Sequence, residues 1–396
     1  MKDFPVIETQ FTVDAVLADA RDAVGLNNFG DDQFLGPLER WLQAQRDEAR
    51  MSDQGRVVAF RQASQHLQTR LIIEDHFNRY PEIAEERIES PVFVVGLYRS
   101  GTTKLHRLLC SDMRWRYLKT WQVMYPVPFD DIAAGAPDRR RDLTQQRLDR
   151  LSLGSRDAHP MSVDAPEEDW LLMAQTFLVP NIGQHTPAYS RWLEQQDATP
   201  MYHYLHRQLQ ILQWQERIKG SEPRRFCLKA PVHLEFIDPL LTVFPDARVI
   251  VTHRDPAKSV ASNCLMLEAY QHKYVDDIDP IELGREVLHK SVVGLDNSLR
   301  ARKEHPRESF FEITFSDVVK RPLEVIPDLY RFTGMDLDDD AMEALQRGDE
   351  VGEQHKSSAR HQYEAARYGL SDKLIYEQTR GYLDWASSTL GVELCR

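Results

Sequence analysis

Cysteine is scarce in this chain, with four in 396 residues. Cys110, Cys227, Cys264 and Cys395 lie far apart and form no C-x-x-C pair, which argues against a disulfide framework and a structural zinc site. Buried thiols in a reducing compartment are the expectation. No apolar run approaches the ~20 residues that cross a bilayer. Residues 1–10 lack a basic segment followed by an apolar core, so no export signal is expected, and the sequence predicts a soluble, cytoplasmic protein without a membrane span. Positive charge is also short: 49 Lys and Arg against 62 Asp and Glu leave a net charge of −13, so the summed field repels polyanions and no nucleic-acid partner is expected. A small anion can still bind where a few cations and backbone amides converge, because such dipoles act at contact distance. Fixed-period repeats and low-complexity tracts are missing as well.

What is present is enough apolar residue, 42%, to bury a large core. From residue 11 to about residue 88 no strand pattern stands out, while Phe34–Gln43 and Val58–Ile73 place apolar groups at helical spacing. A helical N-terminal region, 1–90, is expected to pack on a main domain, 91–396. From Pro91 the texture changes to short apolar runs between helical stretches: Phe93–Val95, Arg225–Lys229, Ala247–Thr252 and Ser309–Thr314. Strands that are apolar throughout predict a parallel sheet covered on both faces, a three-layer α/β/α fold. Residues 113–220, rich in Pro, Asp, Arg, Trp and Tyr, show no βα rhythm and are long enough to build a substrate wall or lid. Ser371 to about Leu390 is helical in pattern.

The stretch Pro91-Val-Phe-Val-Val-Gly-Leu-Tyr-Arg-Ser-Gly-Thr-Thr103 runs a strand into Gly-x-x-x-x-Gly. Gly96 and Gly101 let the backbone turn tightly and gather N–H groups. Thr102 and Thr103 then begin a helix whose positive end, worth roughly half an elementary charge, faces the same point. An oxyanion is the natural occupant. In nucleotide hydrolases the next residue is a lysine that reaches the β- and γ-phosphates; here it is Thr102, and a cation appears earlier, at Arg99. That disfavours a metal-bound triphosphate. A glycine-rich turn used only for packing is the bland alternative, and the strand, internal Arg and Thr-Thr helix start argue together against it.

Arg99-Ser-Gly-Thr-Thr103 resembles the 5′-phosphosulfate loop of the sulfotransferases, enzymes that use 3′-phosphoadenosine-5′-phosphosulfate (PAPS). His253-Arg-Asp-Pro-Ala-Lys-Ser-Val-Ala-Ser262 resembles that family's 3′-phosphate signature: Arg254 supplies planar bidentate donors and Ser262 a hydroxyl from the following helix. Leu228–His233, Phe236–Leu241 and Ile313–Pro322 are similar to the bacterial and tyrosylprotein-type branch. The resemblance covers Pro91 to Pro322, with a weaker echo at His355–His361. It implies a fold like that of the phosphate-loop NTPases, PAPS as cofactor with adenosine 3′,5′-bisphosphate as product, and a small-molecule hydroxyl acceptor. It also implies that Arg99, Ser100, Gly101, Thr102, Thr103, Arg254 and Ser262 hold the cofactor, and that Lys356, Arg360 and His361 belong to a loop closing over the 3′-phosphate. A kinase or NTPase of the same fold, or an inactive PAPS-binding homologue, are the rival readings.

Sulfuryl transfer asks that acceptor oxygen, sulfur and leaving oxygen lie in line and that fixed donors meet the charge that builds up. Arg99 and Lys229, at the ends of neighbouring strands, suit that task, and no metal is required. In the family a lysine in the Leu-Lys-x-Pro context stabilises the transition state, which points to Lys229. Relatives often carry Trp-Glu about twenty residues after the loop, followed by a Pro-x-Pro turn, and in the tyrosylprotein branch that glutamate looks like the general base. This chain has Trp121-Gln122 and then Pro126-Val-Pro128, and a glutamine cannot accept the proton. Either the role has moved, or Gln122 only orients the acceptor, or Gln122 stands in place of a natural glutamate. His159, His233 and Glu168 are the replacement bases, in that order, histidine first because it titrates near neutrality. Pro166 is expected to open a helix with Glu167 and Glu168 in its first turn, where acids also serve the helix dipole. Trp115, Trp121, Tyr125, Phe129 and Trp170 are candidates for an aromatic acceptor pocket. The acceptor's identity and the oligomeric state stay open.

Overall fold

Each of the four apolar runs becomes a strand in the computed structural model, which describes residues 11–129, 138–150, 161–354 and 365–395. The strands are β1 (Val92–Gly96), β2 (Trp115–Arg116), β3 (Arg225–Lys229), β4 (Arg248–His253) and β5 (Phe310–Thr314). They pair in the order β2-β3-β1-β4-β5, all parallel. β1 is buried at every residue, and its alternate side chains divide between two cores. Phe93 and Val95 join the N-terminal helices; Val92 and Val94 join Leu105, Leu109, Leu329 and Tyr330 on the opposite face. Helices therefore cover both faces of the sheet, the three-layer arrangement that the apolar strands predict.

Register then decides where chemistry can sit. Val94 pairs with Lys229, Gly96 with Thr252 and His253 with Thr314, so four strands end along one edge of the sheet. From β1 the chain serves β2 and β3 on one side and only later β4 and β5 on the other. The crevice of such a sheet opens where strand order reverses, at the carboxyl end of β1.

The N-terminal region folds as helices Val13–Val24, Leu35–Asp47 and Asp53–Arg79. Thr12 and Ser52 cap the first and third, their hydroxyls accepting from the amides of Ala15 and Gly55. The third helix crosses the chain just after helix Pro256–Gln271: the Ser52 amide donates to the Tyr274 carbonyl at 2.9 Å. A side chain at Gly55 would collide with that same carbonyl, so this close approach requires glycine.

Besides the four apolar runs, Trp115–Arg116 forms β2, too short to show a period in the sequence. One expectation about the middle segment needs correction. Pro166 does not open a helix: it makes an antiparallel bridge with Lys119, the Glu167 amide donates to the Leu118 carbonyl at 2.9 Å, and the helix starts only at Trp170. The fixed φ of proline suits an extended segment as well as a first helical turn, and here the 118–120 backbone offers partners. Among the described residues no helix is long and apolar enough to cross a membrane.

Candidate functional site

The loop between β1 and helix Thr102–Leu109 alternates backbone hand. Arg99 has φ 68° and Gly101, the residue before the helix, φ 94°. At Gly101 a Cβ would also approach the Phe315 ring to 3.1 Å. The turn is held from below, where the Ser100 hydroxyl donates to the Leu97 carbonyl at 2.5 Å and lies 2.7 Å from that of Thr252 on β4. The buried start of the helix thus presents its amides, with Thr102 and Thr103, toward the crevice.

The second motif arrives from β4. Arg254 lays its guanidinium 4.1 Å from the centroid of Phe315 and donates to the Arg99 carbonyl. On helix Pro256–Gln271, Ser262 accepts a 3.1 Å bond from Arg99 Nε. Two stretches more than 150 residues apart in sequence thus converge on one another, and Arg99 touches both. On the other side of β1, Lys229 ends β3 with a side chain only 2% exposed; its Nζ donates to Thr103 Oγ1 at 3.2 Å and to Glu168 Oε1 at 2.6 Å.

A cavity of about 710 Å³ opens over this edge. Arg99, Gly101, Thr102, Thr103, Arg254 and Glu168 line it, together with Met124, Trp170, Leu171, Met266 and Tyr270. Lys229 stands just behind that wall, reached through Thr103 and Glu168. The N-terminal helix Asp53–Arg79 supplies a further wall with Val58, Arg61, Gln62, Gln65 and His66, one stripe at helical spacing. The sequence signal for this wall was a polar stripe beside apolar residues, indistinguishable from an ordinary solvated face. His66 packs edge-on against Phe177, and burial, aided by the charge of Arg147, lowers it to about 4, so its ring is neutral at pH 7. Tyr98 is pushed well up by burial and by Glu168, which keeps its phenol protonated.

Several residues singled out in sequence sit elsewhere. His233 is fully buried behind the sheet, with Nε2 3.0 Å from Asp169 and Nδ1 2.9 Å from the Tyr202 hydroxyl. Its ring is consumed by a core network rather than presented to the cavity. Gln122 accepts a 3.0 Å bond from the Lys119 amide and lines a separate pocket beside Trp121 and Arg140. Trp115 is core against Tyr330, and of the five aromatics only Trp170 lines the main cavity. His159, Lys356, Arg360 and His361 lie outside the described residues. Of the three candidate bases, Glu168 is the one that, among the described residues, faces the cavity.

The fold and site define an α/β protein with a glycine loop and a strand-end arginine at one edge of a parallel sheet, without the lysine that follows the loop in nucleotide hydrolases. Residues 91–339 match the Sulfotransferase family model, and the chain belongs to that family. It is 25% identical over 264 residues to the omega-hydroxy-beta-dihydromenaquinone-9 sulfotransferases Stf3 of Mycobacterium tuberculosis and Mycobacterium bovis. That match spans 62% of this chain and 63% of the length of those relatives. The fold is similar to the crystal structure of sulfotransferase STF1 from Mycobacterium tuberculosis H37Rv, with TM-score 0.79, 29% identity and coverage of 93% of this chain and 98% of that one. Sulfotransferase STF9 from Mycobacterium avium gives TM-score 0.82 at 27% identity, covering 97% and 98%.

Proposed function

We propose that the protein transfers a sulfuryl group from PAPS to the hydroxyl of a small, largely apolar acceptor. The observation that carries this reading is the meeting of Arg99 with Arg254 and Ser262 on one side of the loop, while Lys229, Thr103 and Glu168 meet on the other. A cofactor with phosphate at both ends needs two anion anchors, here the loop with Arg99 and, beside it, Arg254 with Ser262; a nucleoside diphosphate needs one. The cofactor supplies an activated sulfuryl group, so one S–O bond forms to the acceptor oxygen as the S–O bond to phosphate breaks.

Arg99 and the amides at the start of helix Thr102–Leu109 hold the 5′ end, and Arg254 with Ser262 the 3′-phosphate. Glu168 accepts the proton that the acceptor hydroxyl gives up. Once protonated it no longer pairs strongly with Lys229, and the ammonium is freed to meet charge gathering on the leaving oxygen. Met124, Trp170, Leu171 and Met266 exclude water from the acceptor side. An apolar acceptor is in keeping with the relatives named for a hydroxylated menaquinone derivative. The four free cysteines are in keeping with a cytoplasmic, reducing setting.

Thermal shift tests the reading against a kinase or NTPase of the same fold. Adenosine 3′,5′-bisphosphate is expected to raise the melting temperature by several degrees, and ADP with magnesium to raise it far less. Stabilisation by ADP-magnesium alone reverses the conclusion. Radiolabelled sulfate transfer to a panel of hydroxyl acceptors separates an active enzyme from an idle binding homologue.

A further inference from the structure

The mouth of the cavity is cationic in a chain whose net charge is −13. Arg147, on helix Arg139–Asp149, donates to Gln65 at 3.1 Å. Arg61 stands one helical turn before Gln65, and Lys273 holds its ammonium 5.1 Å from the Tyr270 ring centroid. All three line the same cavity as the phosphate loop. Arg147 adds to burial in lowering the Lys273 ammonium, so the two cations feel one another. Among the described residues no carboxylate pairs with Arg147 or Lys273. Like charges brought together without a counter-ion are unfavourable, and an anion between them removes the repulsion.

Lys273 is set apart from the residues proposed to hold the cofactor's 3′-phosphate. Helix Pro256–Gln271 acts as a ruler: Ser262 sits at the phosphate end, Met266 and Tyr270 line the cavity at successive turns, and Lys273 follows the last turn. At 1.5 Å per residue the helix end lies about 13 Å beyond Ser262. The cavity therefore runs from a phosphate anchor, past apolar side chains, to a second group of cations.

We propose that the acceptor is an amphipathic hydroxy acid: its hydroxyl reaches Glu168, its apolar body lies along Met266 and Tyr270, and a carboxylate or equivalent anion is held at the mouth by Arg147 and Lys273, with Arg61 beside them. The inference rests on the sulfuryl-transfer reading above and narrows its substrate class. Charge pairing at a partly exposed mouth acts mainly on selection among acceptors and is weakened by salt.

The test is calorimetric titration of the full chain, saturated with adenosine 3′,5′-bisphosphate, with ω-hydroxy fatty acids of graded length and with their methyl esters. At least one acid is expected to bind about tenfold tighter than its ester at low salt. In the double variant Arg147→Gln, Lys273→Gln the acid and ester are expected to bind alike, with melting temperature serving as the check on folding. If no acid is preferred over its ester, or if the preference survives the double substitution, the proposal is overturned. The preceding titration with adenosine 3′,5′-bisphosphate keeps the two readings apart. Failure there sinks the reaction itself, whereas nucleotide binding without acid preference sinks only the anionic acceptor.

Discussion

Lys229 is the residue on which the site turns, because it is buried, charged and shared between Thr103 and Glu168. A buried cation is tolerated only with partners, and these two tie it to the helix start on one side and the cavity wall on the other. Glu168→Gln keeps a hydrogen-bond acceptor for Lys229 but cannot take a proton. Its kcat is expected to fall about 10²- to 10⁴-fold with little change in affinity for adenosine 3′,5′-bisphosphate, measured by steady-state kinetics and calorimetry. Lys229→Gln is expected to lower kcat/KM about 10²- to 10³-fold through loss of a donor to the developing charge. Retained activity in both would remove this pair from the mechanism. At this scale the sequence was legible for the loop geometry, since the turns at Gly96, Arg99 and Gly101 and the strand end before Arg254 lie within their own motifs. It was not legible for which of the candidate bases faces the cavity. Nothing local distinguishes Glu168, which faces the cavity, from His233, whose ring is taken by Asp169 and Tyr202.

Among the elements, β4 and β5 are tied at their carboxyl ends by a buried network just beside Arg254. The neutral His253 ring, kept below its ordinary value by burial, donates through Nε2 to Glu312 at 2.6 Å and accepts from the Tyr382 hydroxyl at 2.8 Å. Arg302 completes the network at 2.8 Å. Burial alone would raise Glu312, but the bonds from His253 and Arg302 outweigh it and bring the carboxyl down to about 2 from 4.5. The stability this confers is present above pH 4.5, the ordinary value, and is lost as pH falls toward 2. Glu312→Gln should therefore cost on the order of 3 kcal/mol at pH 7. Its gap from the parent chain should close progressively below pH 4.5 in urea unfolding followed by circular dichroism. A gap independent of pH would contradict the assignment. The strands were readable because parallel strands buried on both faces are apolar at nearly every position. Helix Thr199–Arg217 was not, because Gln208, Gln210, Gln213 and Gln215 are buried along it and break the apolar stripe. Gln210 donates to the Glu86 carbonyl at 2.9 Å and Gln215 to that of Pro126 at 2.7 Å, bonds that depend on loops distant in sequence.

Across the whole molecule, one apolar core runs from Phe11 through Leu67, Phe93, Leu172 and Leu205 to Tyr382. The N-terminal helices supply a large share of it, so a chain beginning at residue 91 would expose much of the sheet's inner face to water. Such a truncated chain is expected to aggregate or to melt without a cooperative transition, as read by differential scanning calorimetry, while the full chain unfolds cooperatively. A cooperative melt of the 91–396 fragment would show that the helices are dispensable for folding. The sequence alone determined the glycine loop and the parallel sheet beneath it, since turn geometry, strand burial and the helix start are local properties. Only the tertiary structure decided what faces that loop. Residues 58–66 and 266–274 are about two hundred positions apart and meet because Gly55 admits the Tyr274 backbone, a contact no local periodicity records.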